Sequence, residues 1–561
     1  MRSPHRLVLM LLDRTRAWER YRILVAAAAI GVLGALATTG FRRGLGLAES
    51  LVFGRSDGLV RIAAGLPLGW RLVTPAIGGV LAGIVLAWAR RATSPGRDSE
   101  YMEAIVLGDG NVGARSSVLR ALSSALTVIS GVAIGREGPM VQLASLAGAL
   151  VGRWSHATLP RRRLLLACGA AAGVATAYNA PIAGALFVAE IVLQSVAIES
   201  LGPLLVASVC ANVTCSQMFG LAPVYQMPAM AAPDGQVTAV LAVLGLLAGL
   251  GAVVFRRALD LGHALFDRLA LPPWAALGLG GLVVGALSTW RPEVWGNGYS
   301  VVNAILHGGW LWPALLAVLL PKVVAVAATT GSGAVGGVFT PTLFVGAVAG
   351  ALFGDVVQSQ WPGLVSQPVC AAIGMGAFLA ACTHAPLTSI LMLFEMTESY
   401  GLITPLMLAC VLAYWVSVVL RPDSIYSAPG KALPPPLVTI ARGLMRADTV
   451  SVTEGAERTE VEQTFVRCRR PHVYVVDGDG RFAGAVSVHD MVPAAHTGQA
   501  WQVAIKRDFP SVDEDMPVGQ VLETFARHPG ERLPVLDADR RLRGYVTKTD
   551  VMLMFRGRLA V

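Results

Sequence analysis

The sequence predicts a polytopic all-α membrane protein built from a duplicated unit of discontinuous helices, followed by a soluble tail of two paired α/β repeats. Three observations carry this. The 561 residues are 54% apolar and only 14% charged, far from the roughly 25% charged content of soluble chains. Two halves of the apolar region repeat the same short motifs. After Arg442, ionisable residues return every few positions.

Apolar runs at residues 23–40, 72–89, 164–178, 237–255 and 311–329, the last interrupted by Lys322, approach the ~20 residues that cross a hydrocarbon core as a helix. Residues 1–22 mix apolar side chains with Arg2, Arg6, Arg14, Arg16, Arg20 and Arg22. They read as an interfacial helix on the cytoplasmic side, too basic and too long for a secretory signal. This places the chain in the inner cell membrane with a cytoplasmic tail. The net charge of +9 is spread over loops and helix ends rather than gathered with aromatics, so no nucleic-acid partner is implied. The lipid bilayer is the implied partner. The seven cysteines lack CxxC spacing and read as small buried hydrophobes, without a disulfide framework or metal site.

Gly135-Arg136-Glu137-Gly138-Pro139 recurs in outline as Gly336-Gly337-Val338-Phe339-Thr340-Pro341. Asn179-Ala180-Pro181 with Glu190 recurs as His384-Ala385-Pro386 with Glu395, the glutamate nine residues after the proline each time. A duplicated transmembrane unit is the simplest cause, and such repeats aim the N-termini of broken helices at a midplane site. The transmembrane domain is set at 1–433, with halves at about 20–219 and 236–420. Pro434-Pro435-Pro436 opens a linker at 434–444, because three prolines cannot continue a helix. In the tail, repeats at 445–496 and 505–558 each place a short strand (472–476, 532–536) before an Asp-rich turn. Gly-x-x-Ser487-x-x-Asp490 and Gly-x-x-Thr547-x-x-Asp550 then follow, 60 residues apart.

An anion crossing lipid needs donors that stabilise charge without trapping it, and helix N-termini supply unpaired N–H groups and about half a positive charge. Gly336 and Gly337 allow close backbone approach, and Pro341 lacks an N–H at a first-turn position. The amides of Val338 and Phe339 are therefore the expected anion ligands. Glu137, with Arg136 before it, occupies the matching place in the first half, and a carboxylate inside a membrane is a functional hypothesis by default. Ionised, it can occupy an anion site; protonated, it loses that attraction. An anion ~4 Å away would repel it by about 4 kcal/mol at an effective dielectric of 20, so anion binding and proton uptake are coupled in sign. Glu190 and Glu395, at equivalent positions, suggest helix capping or an interhelical hydrogen bond rather than a gate. Tyr426 either donates its phenol to an anion or serves as an interfacial aromatic.

GREGP at 135–139, YNAPIAG at 178–184, GSGAVGGVFTP at 331–341 and EMT at 395–397 together resemble the ClC family of chloride channels and chloride/proton antiporters. Residues 101–104 and 295–299 look most like its bacterial ClcB-type members, and the tail resembles a CBS-domain pair. The resemblance implies an inverted-topology repeat fold and a homodimer with one pore per subunit. It further implies Glu137 as the external gate, Val338 and Phe339 amides on the central anion, and Tyr426 donating its hydroxyl there. Two departures stand out. The family's Gly-Ser-Gly-Ile-Pro string is absent, with Gly96-Arg97-Asp98-Ser99-Glu100 near its place. The second of two consecutive glutamates that antiporters usually carry is Ile191, which favours a voltage-gated channel over the alternative antiporter.

No cofactor is required beyond chloride as ligand, while the CBS resemblance makes Ser487, Asp490, Thr547 and Asp550 candidate ribose contacts for ATP, ADP or AMP. The chain is not read as an enzyme. None of its nine histidines forms HExxH, which counts against an intramembrane zinc protease. A CBS-regulated divalent-cation transporter would want several carboxylates converging in the membrane, and Glu137 stands alone.

Overall fold

The computed structural model describes residues 4–56, 58–92, 100–106, 108–220, 223–227, 234–426, 441–447, 449–468, 472–491, 500–528 and 530–551. The chain forms two compact units, Met1–Ser427 and Ala428–Val561. The triple-proline linker and residues 96–99 lie outside the described residues.

In the first unit, α1 (Pro4–Phe53), α2 (Leu59–Gly65), α3 (Leu68–Ala92), α4 (Tyr101–Val106), α5 (Ala114–Ile129), α6 (Glu137–Trp154), α7 (Leu159–Tyr178), α8 (Pro181–Phe187) and α9 (Ile198–Phe219) form the first half. The second half comprises α10 (Gly235–Leu269), α11 (Pro273–Trp290), α12 (Tyr299–Leu306), α13 (Trp312–Gly331), α14 (Phe339–Gln360), α15 (Gln367–Thr383), α16 (Pro386–Thr397) and α17 (Ile403–Leu420). Among the described residues, eight helices are long and apolar enough to cross a membrane. The basic N-terminal segment differs from the expected separate helix. It continues without a break into the first span as one 50-residue α1, because no glycine or proline between Pro4 and Gly31 interrupts a run of good helix formers.

The two halves pack alike. A Cβ on Gly148 of α6 would lie 2.2 Å from the Leu165 carbonyl oxygen of α7, and one on Gly350 of α14 would lie 2.1 Å from that of Cys370 on α15. Backbones touch at both crossings, as small residues permit in lipid. At their C-termini, α7 and α15 both end in a left-handed residue, Asn179 (φ 53°) and His384 (φ 58°). Ala180 and Ala385 are then pushed out of the helical region by the prolines that follow them, and Pro181 and Pro386 start α8 and α16 at the position where a missing N–H costs least. The broken helices thus follow from Asn-Ala-Pro and His-Ala-Pro directly.

In the second unit, β1 (Ser451–Thr453), α18 (Arg458–Cys468), β2 (His472–Val476) and β3 (Phe482–Ser487) form one repeat. The other contains β4 (Val512–Asp513), α19 (Val518–Arg527), β5 (Arg532–Leu536) and β6 (Leu542–Thr547). Each makes a three-stranded sheet, β1-β2-β3 or β4-β5-β6, whose first pair is parallel and second antiparallel. Arg481 and Arg541, equivalent residues, meet in an antiparallel bridge between the repeats. Beside it Tyr474, Phe482, Phe509, Leu536 and Tyr545 share one apolar cluster. A bridge between equivalent residues is the mark of a local two-fold axis.

Candidate functional site

The site is built where α5 turns into α6 and α13 turns into α14. Ser130 and Ser332 donate to Thr127 and Thr329 carbonyls at 2.9 and 2.8 Å. Gly131 and Gly333 then take left-handed φ of 90° and 83°, which a β-carbon would disfavour. Four residues later Gly135 and Gly337 exchange both backbone hydrogen bonds, at 2.8 and 3.0 Å. Two residues beyond, α6 starts at Glu137 and α14 at Phe339, with Arg136 and Val338 as N-caps. Gly336 belongs to the same approach, since a β-carbon there would lie 2.7 Å from the Gly135 oxygen. The first amides of a helix have no acceptor within it, so two positive helix ends converge. Such a pair calls for negative charge between them.

Glu137 supplies it. Its side chain is 4% exposed, and Oε1 accepts a 2.5 Å hydrogen bond from the Thr340 hydroxyl on α14. The carboxylate of one half is thereby held by the helix start of the other. Its Oε2 is buried without a hydrogen-bond partner, sitting where a β-carbon on Gly135 would be. A buried unpaired carboxylate oxygen is costly, and it marks this side chain as one that gains little from staying put. Arg136 does not pair with it; its guanidinium lies 6.0 Å over the Tyr299 ring.

Phe339 is enclosed by rings, 4.7 Å from Tyr178 and 6.2 Å from Phe187 between centroids, and Phe187 meets Tyr426 edge-on at 5.7 Å. These contacts bring Tyr426 to the α14 start from outside either repeat. Its segment is anchored by Ile425 N–H donating to Cys382 O at 2.9 Å, and by Arg256 and Arg421, which donate to Asp423 at 2.8 and 2.9 Å.

Glu190 and Glu395 do not join this cluster. Glu395 accepts from the Ile182 and Ala183 amides at 2.9 and 2.7 Å, the start of α8. Glu190 accepts from the Leu387 and Thr388 amides at 3.2 and 2.7 Å and from the Thr388 hydroxyl at 2.7 Å, the start of α16. Each half thus caps the broken helix of the other. Glu190 sits on a π-turn, Val188–Val192, whereas Glu395 lies in regular α16, and Ile191 packs on the core.

In the tail, the Ser487 and Thr547 hydroxyls donate to Asp490 and Asp550 at 2.6 Å each. Lys506 pairs with Asp490 at 3.0 Å, and Arg446 takes both oxygens of Asp550 at 2.6 and 2.9 Å. The Ser487 hydroxyl, with Lys506 behind it, holds the Asp490 carboxyl below the usual carboxylate range. Arg446 first, then Thr547, does the same for Asp550. Both carboxylates are engaged by the chain's own cations.

Sequence reasoning did not find Thr340, Tyr178 or Phe187 as neighbours of the site. The signal for Thr340 was its place one residue after Phe339, which faces Glu137 only once the two helix starts are paired.

A family model described as "Voltage gated chloride channel" matches residues 78–418, and one described as "CBS domain" matches 441–496 and 502–557. The chain is 49% identical over 410 residues to a "Putative chloride channel protein ClcB-like" of Ralstonia nicotianae, covering 72% of this chain and 96% of that one. It is 42% identical over 414 residues to the "Voltage-gated ClC-type chloride channel ClcB" of Salmonella typhimurium, covering 72% and 98%. A solved slow cyanobacterial Cl-/H+ antiporter superposes with a TM-score of 0.63 at 28% identity, over 72% of this chain and 96% of that one. A eukaryotic CLC transporter covers 94% of this chain and 98% of its own at a TM-score of 0.64 and 18% identity, a likeness of fold alone. With the starts of α6 and α14 paired through Gly135 and Gly337, the chain belongs to the voltage-gated chloride channel family, as a ClcB-type member that carries a C-terminal CBS pair.

Proposed function

We propose that the protein is a chloride channel of the inner cell membrane in which Glu137 is the gate. One observation carries the reading: the Glu137 carboxylate, buried and half-satisfied, lies between two helix starts and is held by Thr340 of the opposite half. Chloride bound at the Val338 and Phe339 amides, with the Tyr426 hydroxyl donating from the other side, competes with that carboxylate for positive helix ends. Protonation neutralises Glu137 and releases the seat. Gly336 and Gly337 serve by leaving room for the ion, and Arg136 by adding positive field at the α6 start.

Glu137, Thr340, Phe339 and Tyr426 are brought together within a single chain, so the homodimer belonging to this reading has a separate pore in each subunit. The basic α1 start supports a cytoplasmic tail. Ile191 next to a Glu190 already spent on capping α16 supports a channel, because neither side chain offers a free carboxyl toward the cytoplasm. The alternative, chloride/proton antiport, is favoured by likeness to the cyanobacterial antiporter. Reversal potentials of reconstituted protein under opposed chloride and proton gradients separate the two. A potential that follows chloride alone supports the channel, and one displaced by the proton gradient establishes antiport. For the tail, adenine nucleotide binding at Ser487/Asp490 and Thr547/Asp550 is proposed to require displacement of Lys506 and Arg446.

A further inference from the structure

Lys322, in the middle of α13, is 0% exposed. Arg256, the other buried cation among the described residues, has Asp423; Lys322 has carbonyls and a ring. Its ammonium donates to Val294 O at 2.8 Å and Gly296 O at 2.7 Å, and lies 5.0 Å from the centre of the Phe344 ring. A lysine buried without a carboxylate is expensive, so a function that an apolar side chain could not perform is expected of it. The two carbonyls flank Trp295 and fix a loop that reaches the gate at two points. Gly296 N–H donates to Gly131 O at 3.0 Å, at the turn that launches the segment leading to Glu137. Asn297, the next residue, lies beside the Glu137 carboxylate. Its Oδ1 faces the Tyr299 amide at 3.4 Å, which leaves its NH2 as the donor available to Glu137, whose Oε2 has no partner.

We propose that Lys322 is a positioning residue of the gate: by clamping the carbonyls of Val294 and Gly296 it holds the Asn297 amide where it can receive the Glu137 carboxylate. This rests on the reading of Glu137 as a competitor of chloride. The test is chloride flux from proteoliposomes, with the half-saturating chloride concentration determined separately from the maximal rate. Lys322→Met and Asn297→Ala should each lower half-saturation severalfold, since a carboxylate without a polar amide held beside it competes less well. The double variant should shift no further than either single one, and Lys322→Arg should restore the wild-type value. In a Glu137→Gln background none of these changes should matter. A shift that persists in Glu137→Gln would mean that the ammonium acts on the anion directly, and would overturn the proposal. So would an unchanged half-saturation in Asn297→Ala, which decides the matter even if Lys322→Met fails to fold. Absence of chloride flux from the wild-type protein would instead sink the proposed function.

Discussion

Glu190 and Glu395 exchange helices: each carboxylate leaves its own half and caps the first turn of the broken helix in the other. The charge meets two amides and a positive helix end in partly dry surroundings, so each cap is worth roughly 2–3 kcal/mol. Glu190→Ala and Glu395→Ala should both lower the melting temperature in detergent. Glu190→Ala should lower it more, because only Glu190 also receives a hydroxyl, that of Thr388. Thr388→Val should close that gap; equal, negligible shifts for both glutamates would refute the capping role.

Glu137→Gln or Glu137→Ala should abolish the pH dependence of chloride flux while leaving flux itself intact. The neutral side chain no longer contends for the helix ends. Flux assayed from pH 4 to 8 checks this, and a wild-type profile in either variant would end the gating role.

Thr340→Val removes the hydroxyl that, among the described residues, donates to the Glu137 carboxylate. A lost hydrogen bond to the charged form favours the neutral one, so flux should activate at higher pH than in wild type. Roughly one pH unit is expected from a bond worth about 1.5 kcal/mol. An activation midpoint that stays put, or moves to lower pH, would show that Thr340 does not restrain the gate.

Asp490 and Asp550 should withdraw their stabilisation of the tail only in acid. Asp490 and Asp550 bind protons less readily folded than unfolded. Their contribution is therefore complete above the unfolded value near about 3.9 and is lost as pH falls through the lower folded values. Tail unfolding followed by fluorescence should be level from pH 6 to 8 as far as these two groups contribute, and should weaken below about pH 4. Asp490→Asn with Asp550→Asn should shrink that acid limb; an unaltered limb would rule out these carboxylates as its cause.

Nucleotide binding to the tail has its own discriminator. If the Asp550 site takes a ribose diol, Arg446→Ala should tighten AMP or ATP binding in calorimetry by freeing the carboxylate, and Asp550→Ala should abolish it. Equal binding in wild type and both variants would exclude that site.

Much of this architecture was legible because its causes are local. Asn179-Ala180-Pro181 and His384-Ala385-Pro386 each break a helix by proline sterics, and the nine-residue spacing to Glu190 and Glu395 fixed their equivalence. The capping role followed from that symmetry, but the exchange between halves did not, since a repeat shows which positions match and not which half they touch. For the same reason Thr340 and Asn297 escaped notice as neighbours of Glu137: they lie 203 and 160 residues away, and the pairing of Gly135 with Gly337 brings in the first while the Gly296 amide on Gly131 O brings in the second. The expected break after Arg22 reflected charge, which a helix leaving the membrane carries as readily as one lying along it.

The central claim is that Glu137 and a halide compete for the same two helix starts. Anomalous diffraction from bromide-soaked crystals of wild-type and Glu137→Gln protein tests it most directly. Bromide should appear at the Val338 and Phe339 amides in both, and in Glu137→Gln a further peak should occupy the place where the wild-type carboxylate sits. Bromide absent from both places in the variant, or confined there to the Val338 and Phe339 amides with no further peak at the place the wild-type carboxylate occupies beside Thr340, would contradict it.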